Sequence, residues 1–117
     1  MNFLDKLFRK KVLKNDQAVF VYLDGQSLPD EVYEEHDLAT LEDELSEVLE
    51  KRSLGELDGN EIGPEEAVLF MYGPDAEAMF SGIEATLRSY PLCCNARVVI
   101  RQGPSGAPQR EIRLPRD

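Results

Sequence analysis

The sequence predicts an α+β domain, and three observations carry that expectation. Short apolar runs rich in β-branched and aromatic residues alternate with two segments of 3.6-residue period, and turn residues separate them. The run Gly55–Leu87, GELDGNEIGPEEAVLFMYGPDAEAMFSGIEATL, compresses that alternation into one stretch: a polar strand, a Gly-Pro turn, a strongly apolar strand, a Gly-Pro-Asp corner and an amphipathic helix. A length of 117 residues suits one domain with a real core and no need of disulfide or metal staples. In order, the elements read helix, then β-α-β-β-α-β-β, and the middle six form the ferredoxin-like arrangement.

Residues 2–13, NFLDKLFRKKVL, place Phe3, Leu4, Leu7, Phe8 and Val12 on one helical face with cations mostly opposite. Residues 1–14 therefore read as a basic amphipathic helix ahead of a single domain over 15–117. Ala18–Leu23, AVFVYL, has strand composition and is closed by Asp24-Gly25. Residues 26–36 keep no sustained period and read as a loop or a short turn of helix. Leu38–Arg52 follows as a helix, capped by Asp37 or Thr40, with Leu38, Leu41, Leu45, Val48 and Leu49 as its buried stripe and Gly55 as its stop.

A weak second strand spans Glu56–Ile62, with Asp58-Gly59 marking a bulge or an early turn, and Gly63-Pro64 leads into the third strand, Ala67–Tyr72. That strand, AVLFMY, is nearly all apolar and so central. Gly73-Pro74-Asp75 opens the second main helix, with Pro74 or Asp75 at its first positions. Ala76, Met79, Phe80, Ile83, Leu87 and Tyr90 form its core face, and Pro91 ends it. Ala96–Gln102 and Arg110–Leu114 complete the chain as a hairpin across the loop 103–108. Right-handed crossovers place the first and third strands in the middle of the sheet.

Charge is unevenly distributed. Residues 1–14 carry +4 and residues 95–117 carry +3, so the middle, 15–94, holds −17 of a total of −10. Ten carboxylates fall between Asp30 and Glu50 with no Lys or Arg among them. Such a middle repels phosphate backbones and suits a basic protein partner, so nucleic-acid binding is not expected. No apolar run is long enough to span a bilayer; the apolar face of residues 1–14 suits packing on its own acidic domain, where it would cover the sheet's second face, or on a second copy, and it also suits contact with a membrane surface. Adjacent Cys93 and Cys94 imply no disulfide framework, which points to a reducing, cytoplasmic setting.

Candidate chemistry is thin. Val19-Phe20-Val21-Tyr22-Leu23 resembles the first motif of RNA-recognition domains, but Glu65 and Glu66 stand where the second motif is basic. Glu56, Asp58, Asn60 and Glu61 suggest a hard-cation loop whose calcium-loop spacing fails, because Glu61 falls at the position of the sharp-turn glycine. His36, alone among Glu34, Glu35 and Asp37, completes no triad or zinc cluster with Cys93 or Cys94. Gly73-Pro74-Asp75 at a helix start would attract an anion, were Asp75 and Glu77 not there to repel it. No catalytic, metal or cofactor residue is assigned.

Asp58-Gly59-Asn60-Glu61-Ile62-Gly63, followed by Tyr72-Gly73-Pro74-Asp75-Ala76 and Phe80, resembles a small uncharacterised bacterial family of ferredoxin-like α+β proteins, over about residues 17–114. The resemblance implies the fold and brings no activity with it. Strands as apolar as AVFVYL and AVLFMY must place hydrophobic groups on both sheet faces, and helices cover only one. The expectation is a non-catalytic protein-interaction or regulatory domain, homodimeric, acting through that sheet face and its acidic surface. The alternative is a small-molecule-binding domain or enzyme with its pocket at a dimer interface.

Overall fold

Alternating polarity and helical period set the local structure, and a computed structural model describes residues 17–115. The elements are β1 (Gln17–Asp24), α1 (Asp30–Glu35), α2 (Leu38–Lys51), β2 (Glu56–Ile62), β3 (Glu66–Gly73), α3 (Ala76–Ser89), a 3-10 turn (Pro91–Cys93), β4 (Arg97–Arg101) and β5 (Gln109–Arg113). The five strands form one antiparallel sheet in the order β2-β3-β1-β4-β5. The N-terminal helix expected over residues 1–14 lies outside the described residues.

Each main helix begins where a side chain can accept from its free amides. Asp37 accepts from the Thr40 amide at the start of α2, and Asp75 accepts from the Ala78 amide at the start of α3. The Ala76 amide donates to Gln17 Oε1 at 2.8 Å, a cap supplied from β1 that local sequence could not reveal. The segment 26–36 forms the short helix α1 behind Pro29, and Tyr33 ties it back to the sheet. Its hydroxyl donates to the Asp24 carbonyl and accepts from the Leu28 amide.

The end of α2 differs from the expected glycine stop. Arg52 caps the helix, and Ser53 takes the left-handed conformation at φ +53°. The Ser53 amide donates to the Glu50 carbonyl and the Leu54 amide to that of Leu49, which is the Schellman pattern with Leu54 as its apolar closing residue. Gly55 has a different task. A Cβ there would meet the Tyr72 carbonyl oxygen and the Gly73 Cα, and a Cβ on Gly73 would collide with the Leu54 carbonyl oxygen. The two glycines let the chain leaving α2 lie directly on the end of β3, so the GELDG and YGPDA runs meet in space.

The core lies between the helices and one face of the sheet. Val19, Val21 and Leu23 of β1, Leu69 and Met71 of β3, and Val98 and Ile100 of β4 pack with Leu41, Leu45 and Leu49 of α2 and with Met79, Ile83 and Leu87 of α3. Each such side chain contributes about 1.5–3 kcal/mol of burial. Leu38, Val48 and Tyr90, expected in the buried stripes, sit at its half-buried margin. The edge strand β5 is fastened to α3 by Arg110, which donates to both Glu77 carboxylate oxygens at 2.6 and 2.7 Å.

Two substitutions test the α2–β3 junction by thermal or urea unfolding. Ser53→Gly removes a side chain from a left-handed position and is expected to stabilise the protein by about 0.5–1 kcal/mol. Gly73→Ala sets a methyl group against backbone that has no room to yield and is expected to destabilise it by about 2 kcal/mol or more.

Candidate functional site: the open face of the sheet

Side chains alternate along each strand, so the residues skipped by the core share the opposite face. The strand register arranges them in three rows. The first runs Glu56, Tyr72, Ala18, Arg101, Gln109; the second Gly59, Phe70, Phe20, Val99, Glu111; the third Glu61, Val68, Tyr22, Arg97, Arg113. The middle of the face is thus aromatic and aliphatic, its β2 edge is acidic, and its β4–β5 side carries arginines.

The aromatic centre is ordered by its own contacts. Phe20 meets Phe70 and Tyr72 edge-on, with ring centroids 5.7 and 6.0 Å apart. The Arg97 guanidinium lies 4.0 Å above the Tyr22 ring, and that of Arg101 lies 5.4 Å from the Phe20 ring centroid. Burial and the nearby Asp58 charge push the Tyr72 hydroxyl above its ordinary pKa, against the opposing pull of Arg101. Phe20, Tyr22, Val68, Phe70 and Tyr72 are half-buried, while Ala18 and Val99 are buried. The bare apolar patch anticipated from composition is therefore a half-shielded one; among the described residues the exposed large hydrophobic is Ile62, at 70%.

Charge on this face is incompletely balanced. Arg97 and Arg113 stand directly opposite each other on β4 and β5, an unfavourable placement for like charges. Glu111 accepts from Arg97 at 3.2 Å. No ion pair joins Arg113 or Glu61 to another described residue, and both are exposed. At one end of the face a polar cleft of about 440 Å³ is lined by residues including Asp24, Glu65, Glu66, Asn95, Arg97 and Arg113. Burial opposes the charge on Asp24. Hydrogen bonds from the Ser27 hydroxyl, the Gln26 and Ser27 amides and the Asn95 side chain outweigh it, holding the carboxyl well below the usual range.

The other sequence candidates separate in space or have structural tasks. A bulge between Leu57 and Gly59 puts Glu56 and Glu61 on the open face, while Asn60 turns to the helix side and donates to Glu42 at 2.8 Å. No group of three or more potential metal ligands occurs among the described residues. The carboxylates of Asp30–Glu50 line α1 and α2 on the helix layer, away from the open face, and most are exposed. The His36 ring packs edge-on against Tyr90 at 5.7 Å, and the Tyr90 hydroxyl donates to the Asp37 carbonyl. Burial, with the nearby Cys94 and Glu44, pushes the Cys93 thiol up to about 12, so it is not a ready nucleophile. Asp75 caps α3, and Glu77 holds Arg110. No described helix is long and apolar enough to cross a membrane.

What sequence reading could not supply is the register that sets particular side chains of the open face against each other. The arginines of β4 lie some 80 positions from Phe20 and Tyr22 along the chain, yet β4 is the direct neighbour of β1. The alternation Arg97, Val99, Arg101 and the central place of β1 were legible in the sequence; the register that sets Arg97 beside Tyr22 and Arg101 beside Ala18 was not.

Thiol accessibility tests the site assignment. At pH 8 a thiol with a pKa near 12 is ionised to about one part in ten thousand. Cys93 is therefore expected to resist an aromatic disulfide reagent in the native protein while half-buried Cys94 reacts, and denaturation should reveal the second equivalent. Equal, rapid labelling of both would contradict the buried placement. The chain matches no family model, no curated protein and no solved structure.

Proposed function

We propose that this is a non-catalytic protein-association domain of the ferredoxin-like class, whose contact surface is the open face of its sheet. The observation that carries the reading is the row of Phe70, Phe20 and Val99 at the centre of a face on which no described helix packs. A helix-covered sheet needs apolar residues on one side only; an aromatic centre on the other side, bordered by charge, has the composition of an interface core and rim. The acidic helix layer offers a second surface, suited to a basic partner. Nucleic acid is disfavoured, because an acidic β2 edge and a net charge of −10 repel a phosphate backbone. A cytoplasmic setting fits the two unpaired cysteines.

The alternative, a small-molecule site, is favoured by one feature: the polar cleft at the end of the same face, where Arg97 and Arg113 border Asn95. An anionic ligand would suit the arginines, but Asp24, Glu65 and Glu66 line the same cleft. Protein association is the better reading.

Phe70→Glu tests it. The substitution places a charge at the centre of the face without entering the helix-side core. The expected outcome is loss of association by sedimentation velocity and chemical crosslinking, with the folded circular-dichroism spectrum retained. Ile62→Glu, at an already exposed site, is the control and is expected to leave association intact. Unchanged association in Phe70→Glu would overturn the assignment of this face.

A further inference from the structure

Resting on that reading, we infer that the occupant of the open face is a second copy of this chain, packed face to face about a two-fold axis running along β1. The layout of charge carries the inference. Across the third row the side chains run Glu61, Val68, Tyr22, Arg97, Arg113, acidic at one end and basic at the other. A two-fold axis along the strands, over β1, reverses that order in the second copy while keeping rows matched. Glu61 then faces Arg113 of the second copy at both ends of the row, and Tyr22 faces its own counterpart at the middle. In the second row Phe20 meets Phe20 and Phe70 meets Val99; in the first, Glu56 meets Gln109 and Tyr72 meets Arg101. The other face-to-face choice, an axis across the strands, sets the β2 edge against itself and the arginine edge against itself. Glu56 would then face Glu61, and Arg97 would face Arg101. Electrostatics selects the first arrangement.

One further feature of the molecule agrees with a second copy in such an isologous interface. Its ten-carboxylate helix layer lies on the opposite side of the molecule, so face-to-face packing sends the two acidic layers outward, as far apart as the assembly allows. At about 4.8 Å per strand the sheet is about 24 Å wide, a face toward the small end of specific interfaces. With half-shielded aromatics at its centre, a dissociation constant on the order of micromolar is expected.

Sedimentation velocity of the full chain from about 1 to 500 μM, at low and high salt, reads the association directly, since exposed ion pairs weaken as salt rises. A concentration-dependent dimer that loosens with salt is expected. Arg113→Glu and Glu61→Arg each set like charges together twice by symmetry, and each should weaken the dimer by about tenfold or more. The double variant Glu61→Arg/Arg113→Glu restores opposite charges at both ends and should recover close to the original affinity. Both positions are exposed, and melting curves within a few degrees of the parent show that the variants fold. A chain monomeric throughout overturns the inference, as does a dimer indifferent to the single reversals, a double variant no better than the singles, or binding of a labelled single-stranded oligonucleotide to this face in place of a second copy. If Phe70→Glu abolishes association while the charge reversals do nothing, the sheet face stands as the contact surface and the two-fold arrangement falls.

Discussion

Strand β1 is hydrogen-bonded on both sides, to β3 along its whole length and to β4 along five residues, and the rest of the molecule is arranged around that constraint. A doubly paired strand cannot turn either of its faces to the edge, so each of its side chains must find neighbours above or below the sheet. Val19, Val21 and Leu23 find them among the helices. Among the described residues, Phe20 and Tyr22 find theirs sideways, in Phe70, Tyr72, Arg97 and Arg101. The core and the candidate interface are thus two sides of one strand, and the residues that build one are interleaved with those that build the other.

That interleaving separates the buried core from the charged and aromatic open face. The helix-side face carries purely apolar burial, and the described residues contain no buried polar or charged side chain. Charge is confined to surfaces: acidic on α1 and α2, acidic along β2, basic on β4 and β5. The Glu77–Arg110 pair crosses between layers and secures the fifth strand, the element that adds Gln109, Glu111 and Arg113 to the open face. Without β5 the face would lose the basic end of its third row.

The glycine pair shows how a local motif can have a distant cause. Gly55 reads in sequence as a helix stop and Gly73 as the end of a strand. Together they are the point where the α2–β2 connection crosses the end of β3, with backbone on backbone. The stop itself falls to Ser53, whose left-handed backbone, costly for a residue with a Cβ, is held in place by two Schellman hydrogen bonds.

Sequence alone determined the elements, because period and turn chemistry are properties of neighbouring residues. The boundaries of β2, Asp37 as one of two possible caps, Leu41, Leu45 and Leu49 of α2 and Ala76, Met79, Phe80, Ile83 and Leu87 of α3 were legible from spacings of seven residues or fewer, whereas the depth at which Leu38 and Tyr90 sit was not. It also determined that β1 and β3 carry apolar side chains on both faces of the sheet. Only the tertiary structure decided which distant residues share a face. The register of β1 with β4 brought Arg97 over Tyr22, the bulge at Asp58 split the acidic cluster of β2 between two faces, and the crossing at Gly73 recruited Gly55. Those outcomes depend on strand order and register, which arise from contacts between residues far apart in the chain and leave no periodic trace in it.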